Sequence, residues 1–343
     1  MKRELGRTGV VVSEIGFGGI PIQRISERRA LELVNRSIDM GINFIDTHRD
    51  YGDSEKKIGR AIKGRRNEVY VCTKSHARDP EGLSLDLETS ISNLEVSTVD
   101  LYYLHGVNTI EDLRKATSPE NLDFLQRMKD EGVIRFLGVS GHLEEPMLKA
   151  IETGFFEVVM FPFNYIVPDA RKKIIPICKE KGVGFVCMKP FAGGMLDDSK
   201  SVLGYVLKYP ISTAIPGMAL IRELKQNIRV SKMEWFATDE EAEKLEAIGE
   251  EIGERFCRNC GYCSPCSHGV EIASLVRLQS WIKRIGWRGK KKEIIRSIKS
   301  LDDCIECREC EGKCPYNLPI VEMMNEQTEW LLEEFPSLAI LRN

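Results

Sequence analysis

Residues 26–47 read SERRALELVNRSIDMGINFIDT, a helix signal that runs into a short apolar run. Ser26 is a candidate N-cap, Ala30, Leu31, Leu33, Val34 and Ile38 fall at helical spacing, and Gly41 supplies the stop. The NFIDT that follows reads as a strand. Working outward from this unit, the same alternation recurs along the chain. The runs are EIGFG (14–18), NFIDT (43–47), VYVCT (69–73), VDLYYLH (99–105), IRFLGVS (134–140), FEVVMF (156–161), GFVCMK (184–189) and STAIP (212–216). Longer helix-period segments such as LEEPMLKAIETG separate them, which is the pattern of repeated βα units on a parallel sheet. Eight units predict an α/β fold, a (β/α)8 TIM barrel, and such a barrel takes about 250 residues.

The chain has 343 residues, which suggests two domains. The stretch TDEEAEKLEAIGEEIGERF (238–256) reads as a charged helix leading out of the barrel. We therefore expect a barrel over 1–250 and a second, small and mainly helical domain over 251–343.

That second region holds two cysteine runs. CIECRECEGKCPYN (304–317) has the spacing C-x2-C-x2-C-x3-C-P, in which three thiolates hold one iron–sulfur cluster and the fourth reaches a neighbouring one. CRNCGYCSPC (257–266) supplies the second run, one residue shorter in its last spacer and with Ser267 where the proline would stand. Structural zinc and disulfides are the alternatives, but zinc sites use C-x2-C pairs set well apart rather than triple runs ending in Cys-Pro. Eight cysteines suffice for two 4Fe-4S clusters. The crossed pattern pairs Cys257, Cys260 and Cys263 with Cys314, and Cys304, Cys307 and Cys310 with Cys266.

The formal net charge of −3 gives no global signal for a polyanionic partner. No segment approaches the ~18 apolar residues of a membrane span, and the first residues are too broken for a secretory signal. Cysteine-rich metal runs then point to the cytoplasm, where thiols stay reduced. Cys72, Cys178 and Cys187 lie in apolar runs and read as small core residues. The basic stretch IKRIGWRGKKKEIIRSIKS (282–300), with Trp287 inside it, is first a solvated face. As a partner surface it suits an acidic ferredoxin-like redox protein better than nucleic acid, because the clusters are adjacent.

In a TIM barrel the reactive groups sit at the C-terminal strand ends. Three successive ends stand out: FIDTHRDYG with Asp46 and Tyr51, VCTK with Lys74, and YYLHG with His105. Taken singly, each has a structural reading as cap, core or surface residue. Together at one mouth they suit carbonyl reduction. A tyrosine phenol can give the proton if a neighbouring ammonium lowers its pKa, a carboxylate can hold that ammonium, and an imidazole can orient the carbonyl oxygen.

The stretches NFIDTHRDYGDSEKKIGRAI, VYVCTK, LYYLHG, GVIRFLGVSGH and STAIPGM resemble the aldo-keto reductase superfamily over most of residues 1–230. With the cysteine runs, the whole chain is similar to the branch carrying a C-terminal iron–sulfur domain. The resemblance implies a catalytic tetrad of Asp46, Tyr51, Lys74 and His105, a nicotinamide cofactor (NAD or NADP) across the barrel mouth, and a small carbonyl or alcohol substrate. It places cofactor contacts at Gly19, Ser140, Asn164, Gly217, Gln226 and Asn227. This chain departs from the family pattern at Gly141, Met160 and Met188. Where a lysine and an arginine commonly grip the adenosine 2′-phosphate it has Gly217 and Glu223, so a weakened preference for NADP is expected. The other reading is an electron-transfer or redox-sensing protein whose barrel binds nucleotide without turnover.

Overall fold

The computed structural model describes residues 1–233, 237–259, 261–286 and 291–336. Cys260 and Trp287 lie outside the described residues.

The chain opens with an antiparallel hairpin, β1 (Lys2–Glu4) and β2 (Val11–Ser13). Eight parallel strands follow: β3 (Phe17–Gly18), β4 (Phe44–Asp46), β5 (Tyr70–Ser75), β6 (Val99–Leu104), β7 (Ile134–Ser140), β8 (Val158–Pro162), β9 (Gly184–Met188) and β10 (Thr213–Ala214). Each pairs with its sequence neighbours, and parallel bridges Ile15–Ala214 and Gly18–Gly217 join the last strand to the first. The sheet is therefore a closed barrel, which leaves no open edge.

Strand alternation divides the apolar residues between two cores. Phe44, Cys72, Leu101, Tyr103, Val158, Met160, Val186 and Met188 form the cluster inside the barrel, joined at its lower end by Leu5, Val10 and Val12 of the hairpin region. Their neighbours, such as Ile45, Val71, Tyr102 and Leu104, pack outward against the helices. In helix Glu27–Asp39 the residues Ala30, Leu33, Val34 and Ile38 are buried as the spacing predicts. Ser26 occupies the N-cap position, but its side chain makes no capping bond.

The charged helix Asp239–Gly253 is docked on the barrel rather than merely leading away from it. Glu246 receives Arg171 Nε at 2.9 Å and the Tyr205 hydroxyl at 2.7 Å. A Cβ on Gly249 would stand 1.9 Å from the Tyr165 carbonyl oxygen, so only glycine allows this approach. The boundary expected at residue 250 falls in the last turn of this helix.

Beyond it the described residues carry helices and turns and no strand. Ile272, Leu275, Leu278, Ile294, Ile298, Leu318, Ile320, Met324 and Leu331 make a separate small core, against which the described cysteines Cys257, Cys263, Cys266, Cys304, Cys310 and Cys314 pack. Helix Leu278–Ile285 leaves this core and crosses the barrel mouth, where Ser280 Oγ donates to the Gly193 carbonyl at 2.9 Å. No helix among the described residues is long and apolar enough to cross a membrane.

Candidate active site and cluster sites

The inward phase of three strands builds the site. Phe44 points into the barrel, so Asp46 does too; Cys72 does, so Lys74 follows; Leu101 and Tyr103 do, and His105 continues their face. Lys74 is 1% exposed and Asp46 3%. Lys74 Nζ donates to both Asp46 carboxylate oxygens at 2.6 Å and to the Thr47 carbonyl at 2.6 Å. The ammonium also lies 5.7 Å from the Tyr51 ring centre and 5.5 Å from that of Tyr103. Burial pushes the Asp46 carboxyl up from its ordinary range, and the Lys74 charge opposes that push. Tyr51 comes from the loop after β4, held by a turn in which its N–H donates to the His48 carbonyl at 3.0 Å.

His105 Nδ1 shares a 2.5 Å hydrogen bond with Ser140 Oγ, so Ser140 is tied to the imidazole. Burial, and then the neighbouring His48 and Lys74, hold the His105 imidazole well below its ordinary pKa, so it is neutral at physiological pH.

Two further imidazoles, which sequence reasoning passed over, complete this corner. His48 and His76 have ring centres 4.6 Å from that of His105, and one nitrogen from each of the three rings lies within 4.8 Å of the others. That spacing could take a transition-metal ion. Two features count against it. The Asp50 N–H donates to His48 Nδ1 at 3.2 Å, which leaves the ring proton on Nε2, and the Lys74 ammonium raises the potential nearby. His48 Nε2 is buried and has no hydrogen-bond partner. A single histidine inside a loop gives no sequence signal; its meaning comes only from the rings brought beside it.

Burial, with help from Lys74, His76 and Arg49, lowers the His48 pKa to about 2. The same imidazole in the unfolded chain titrates near the ordinary histidine value of about 6.5. Below that pH the unfolded chain binds the proton and the fold does not, so stability declines as pH falls through about 6.5. One such group steepens the decline by up to about 1.4 kcal/mol per pH unit. Melting temperatures measured from about pH 7.5 down to about pH 5 should therefore fall less steeply in His48→Phe than in the parent; equal slopes would contradict the assignment.

The mouth encloses a cavity of about 500 Å³ whose wall includes Asp46, Tyr51, Lys74 and His105. Of the residues expected to touch a cofactor, Gly19, Gly217, Gln226 and Asn227 are on that wall, while Ser140 and Asn164 are not. A Cβ on Gly217 would stand 2.8 Å from Pro21 Cγ, and one on Gly19 would stand 2.7 Å from the Asp46 carbonyl oxygen, so both glycines permit close loop packing at the rim. The Asn164 amide is engaged by its own loop: it donates to the Lys189 carbonyl at 2.9 Å and accepts from the Ile166 N–H at 2.9 Å.

The cysteines divide between two cavities. One is walled by Cys266, Cys304, Cys307 and Cys310, the other by Cys257 and Cys314, and Cys263 borders both. No disulfide joins any of the described cysteines. Asn259, Gly261, Glu306 and Arg308, which lie among them, have positive φ, and these left-handed residues curl each loop so that its thiols converge. Convergent thiols against apolar walls fit the soft, thiolate-bound clusters that the spacing predicts.

Comparison with known proteins identifies the family. The family model described as aldo/keto reductase family matches residues 14–202, more than half of the chain. The chain belongs to the aldo/keto reductase family. This aldo/keto reductase also matches, over residues 256–319, a model described as a 4Fe-4S dicluster domain. It is 27% identical to L-galactose dehydrogenase of Arabidopsis thaliana over 306 residues, covering 73% of this chain and 94% of that protein. An aldo-keto reductase from Bacillus halodurans in its holo form superposes with a TM-score of 0.64 at 24% identity, covering 72% of this chain and 95% of the other. One from Klebsiella pneumoniae, in complex with NADP and acetate, gives 0.62 at 22% identity over the same shares. These two likenesses speak for the fold, an α/β barrel of this family's kind, and the chain is an oxidoreductase of that family.

Proposed function

We propose that the chain interconverts a carbonyl and an alcohol, with Tyr51 as proton donor. The observation that carries this reading is the buried Lys74 ammonium, clamped by Asp46 beneath the Tyr51 ring and facing the mouth cavity. A nicotinamide dinucleotide, when bound, supplies the hydride. Gly19, Gly217, Gln226 and Asn227 would hold it along the cavity wall. The Tyr51 hydroxyl gives its proton to the carbonyl oxygen, and Lys74 stabilises the phenolate left behind. Asp46 holds the Lys74 Nζ in place. A neutral His105 that accepts from the Ser140 hydroxyl at Nδ1 carries its proton on Nε2 and can donate to the same carbonyl oxygen. In the direction of alcohol oxidation Tyr51 accepts the proton instead.

We further propose that residues up to the end of helix Asp239–Gly253 form the catalytic unit and the remainder the cluster unit. Each of the two cavities is read as the seat of one 4Fe-4S cluster in the crossed pattern. The spacing of the first run assigns Cys260, which lies outside the described residues, to the set of Cys257, Cys263 and Cys314. A relay role for the clusters has one specific support: a narrow space beside Cys257 and Asn259 is also bordered by Lys189 and Gly193, which line the mouth cavity. The outer site has the exposed Cys307 and Ile305 near the surface, where a ferredoxin-like partner could dock.

Anaerobically purified protein tests the proposal. It should contain about eight iron and eight sulfide per chain. It should also oxidise NADH or NADPH only when a carbonyl compound is added. Full cluster loading without turnover on a broad carbonyl panel would favour the electron-transfer reading.

A further inference from the structure

The geometry points to Lys283, on the cysteine-bearing unit, as a ligand for a phosphate of the nicotinamide dinucleotide, so that the cluster domain completes the nucleotide site of the barrel. This rests on the proposal that the barrel binds such a cofactor. A dinucleotide brings a pyrophosphate, and in NADP an additional 2′-phosphate, and these anions need fixed positive charge or backbone N–H groups. On the barrel side the cavity wall carries two guanidinium groups, Arg24 and Arg222, and no lysine that could reach an anion from Gly217. Gly217 has no side chain, and the Glu223 carboxylate turns back on its own helix, Ile221–Lys232. There it accepts from the Ala219 N–H at 2.7 Å and the Leu220 N–H at 3.0 Å. A helix N-terminus that would attract an anion is thus already neutralised.

The wall of the mouth cavity also carries Lys283. Lys283 sits on helix Leu278–Ile285, beyond the first cysteine run. One hydrogen bond and two close approaches of glycine backbone fix its position. Ser280 Oγ donates to the Gly193 carbonyl at 2.9 Å, and a Cβ on Gly194 would stand 4.0 Å from Lys283 Cβ. A Cβ on Gly286 would lie 3.6 Å from Arg24 Cβ. The other face of the helix is anchored by Leu278 in the small core that packs against the cysteines. The cation therefore reaches the cavity from the cluster unit, and its place depends on that unit staying folded.

Dissociation constants for NADH and NADPH, measured by calorimetry on the full-length holo-protein, test this. Lys283→Ala should weaken binding by about tenfold, the scale of one charge-assisted contact at a partly exposed site. Lys283→Glu should weaken it further, and Lys283→Arg should stay near the parent. Iron content should be the same in all four proteins. A loss confined to NADPH assigns Lys283 to the 2′-phosphate, and an equal loss for both nucleotides assigns it to the pyrophosphate. If the parent binds nucleotide and Lys283→Ala and Lys283→Glu bind it equally well, the inference is wrong. If the parent binds neither nucleotide, the catalytic proposal itself fails and this inference falls with it.

Discussion

Tyr51→Phe is expected to lower kcat for carbonyl reduction by about 10²- to 10⁴-fold, the range for losing a positioned general acid. The substitution removes one oxygen. The ring that packs edge-on against His48 at 5.1 Å remains, as does the aromatic face 5.7 Å from Lys74 Nζ. The Asp46–Lys74 pair is retained, and so is the shape of the cavity. Nucleotide affinity and melting temperature should therefore match the parent, so that the loss appears in kcat. A variant that reduces carbonyls as fast as the parent would remove Tyr51 from the proton-donor role.

Lys74→Met should have the largest effect on stability. The parent has a carboxylate and an ammonium, both almost wholly buried, joined by two 2.6 Å bonds, with the Thr47 carbonyl as the ammonium's third acceptor. Removing the lysine leaves Asp46 charged and unpaired in the barrel, or forces it to take up a proton. Breaking a buried pair from one side costs about 3–5 kcal/mol. In a protein of this size that corresponds to a drop of about 4–7 °C in melting temperature. Replacing both partners, Asp46→Asn with Lys74→Met, removes the stranded charge. The double variant should thus be more stable than Lys74→Met alone, although inactive. A double variant that melts at or below the single one would show that the pair does not act as a unit.

Much of this architecture was legible because repeated units leave repeated signals. Apolar runs separated by helix-period segments located all eight barrel strands, since a strand buried on both faces must be apolar along its length. The N-terminal hairpin left no such trace. Strands of three residues are too short for an alternation to register, and β1–β2 is evident only from its pairing. In the site, Asp46, Lys74 and His105 could be found because the strand period carries an inward phase to the strand end. His48 and His76 could not, because their significance is tertiary. Ser140 was located at the right strand end, but its bond to His105 depends on how two strands sit side by side. Cysteine spacing carried the division between two cavities, as it encodes the loop geometry directly. Lys283 lay inside a basic stretch read first as a solvated face, and only the path of its helix over the mouth sets it apart.

In the proposed reaction electrons reach the substrate of this barrel as hydride, with Tyr51 handling the proton. The direct measurement uses a nicotinamide dinucleotide deuterated at the ring carbon that gives up hydride, anaerobic holo-protein and an accepted carbonyl compound, followed by mass spectrometry of the alcohol. One deuterium is expected on the carbinol carbon of the product, with strongly diminished labelled product from Tyr51→Phe. Alcohol formed without the label, with its carbon-bound hydrogen drawn from solvent, would contradict it.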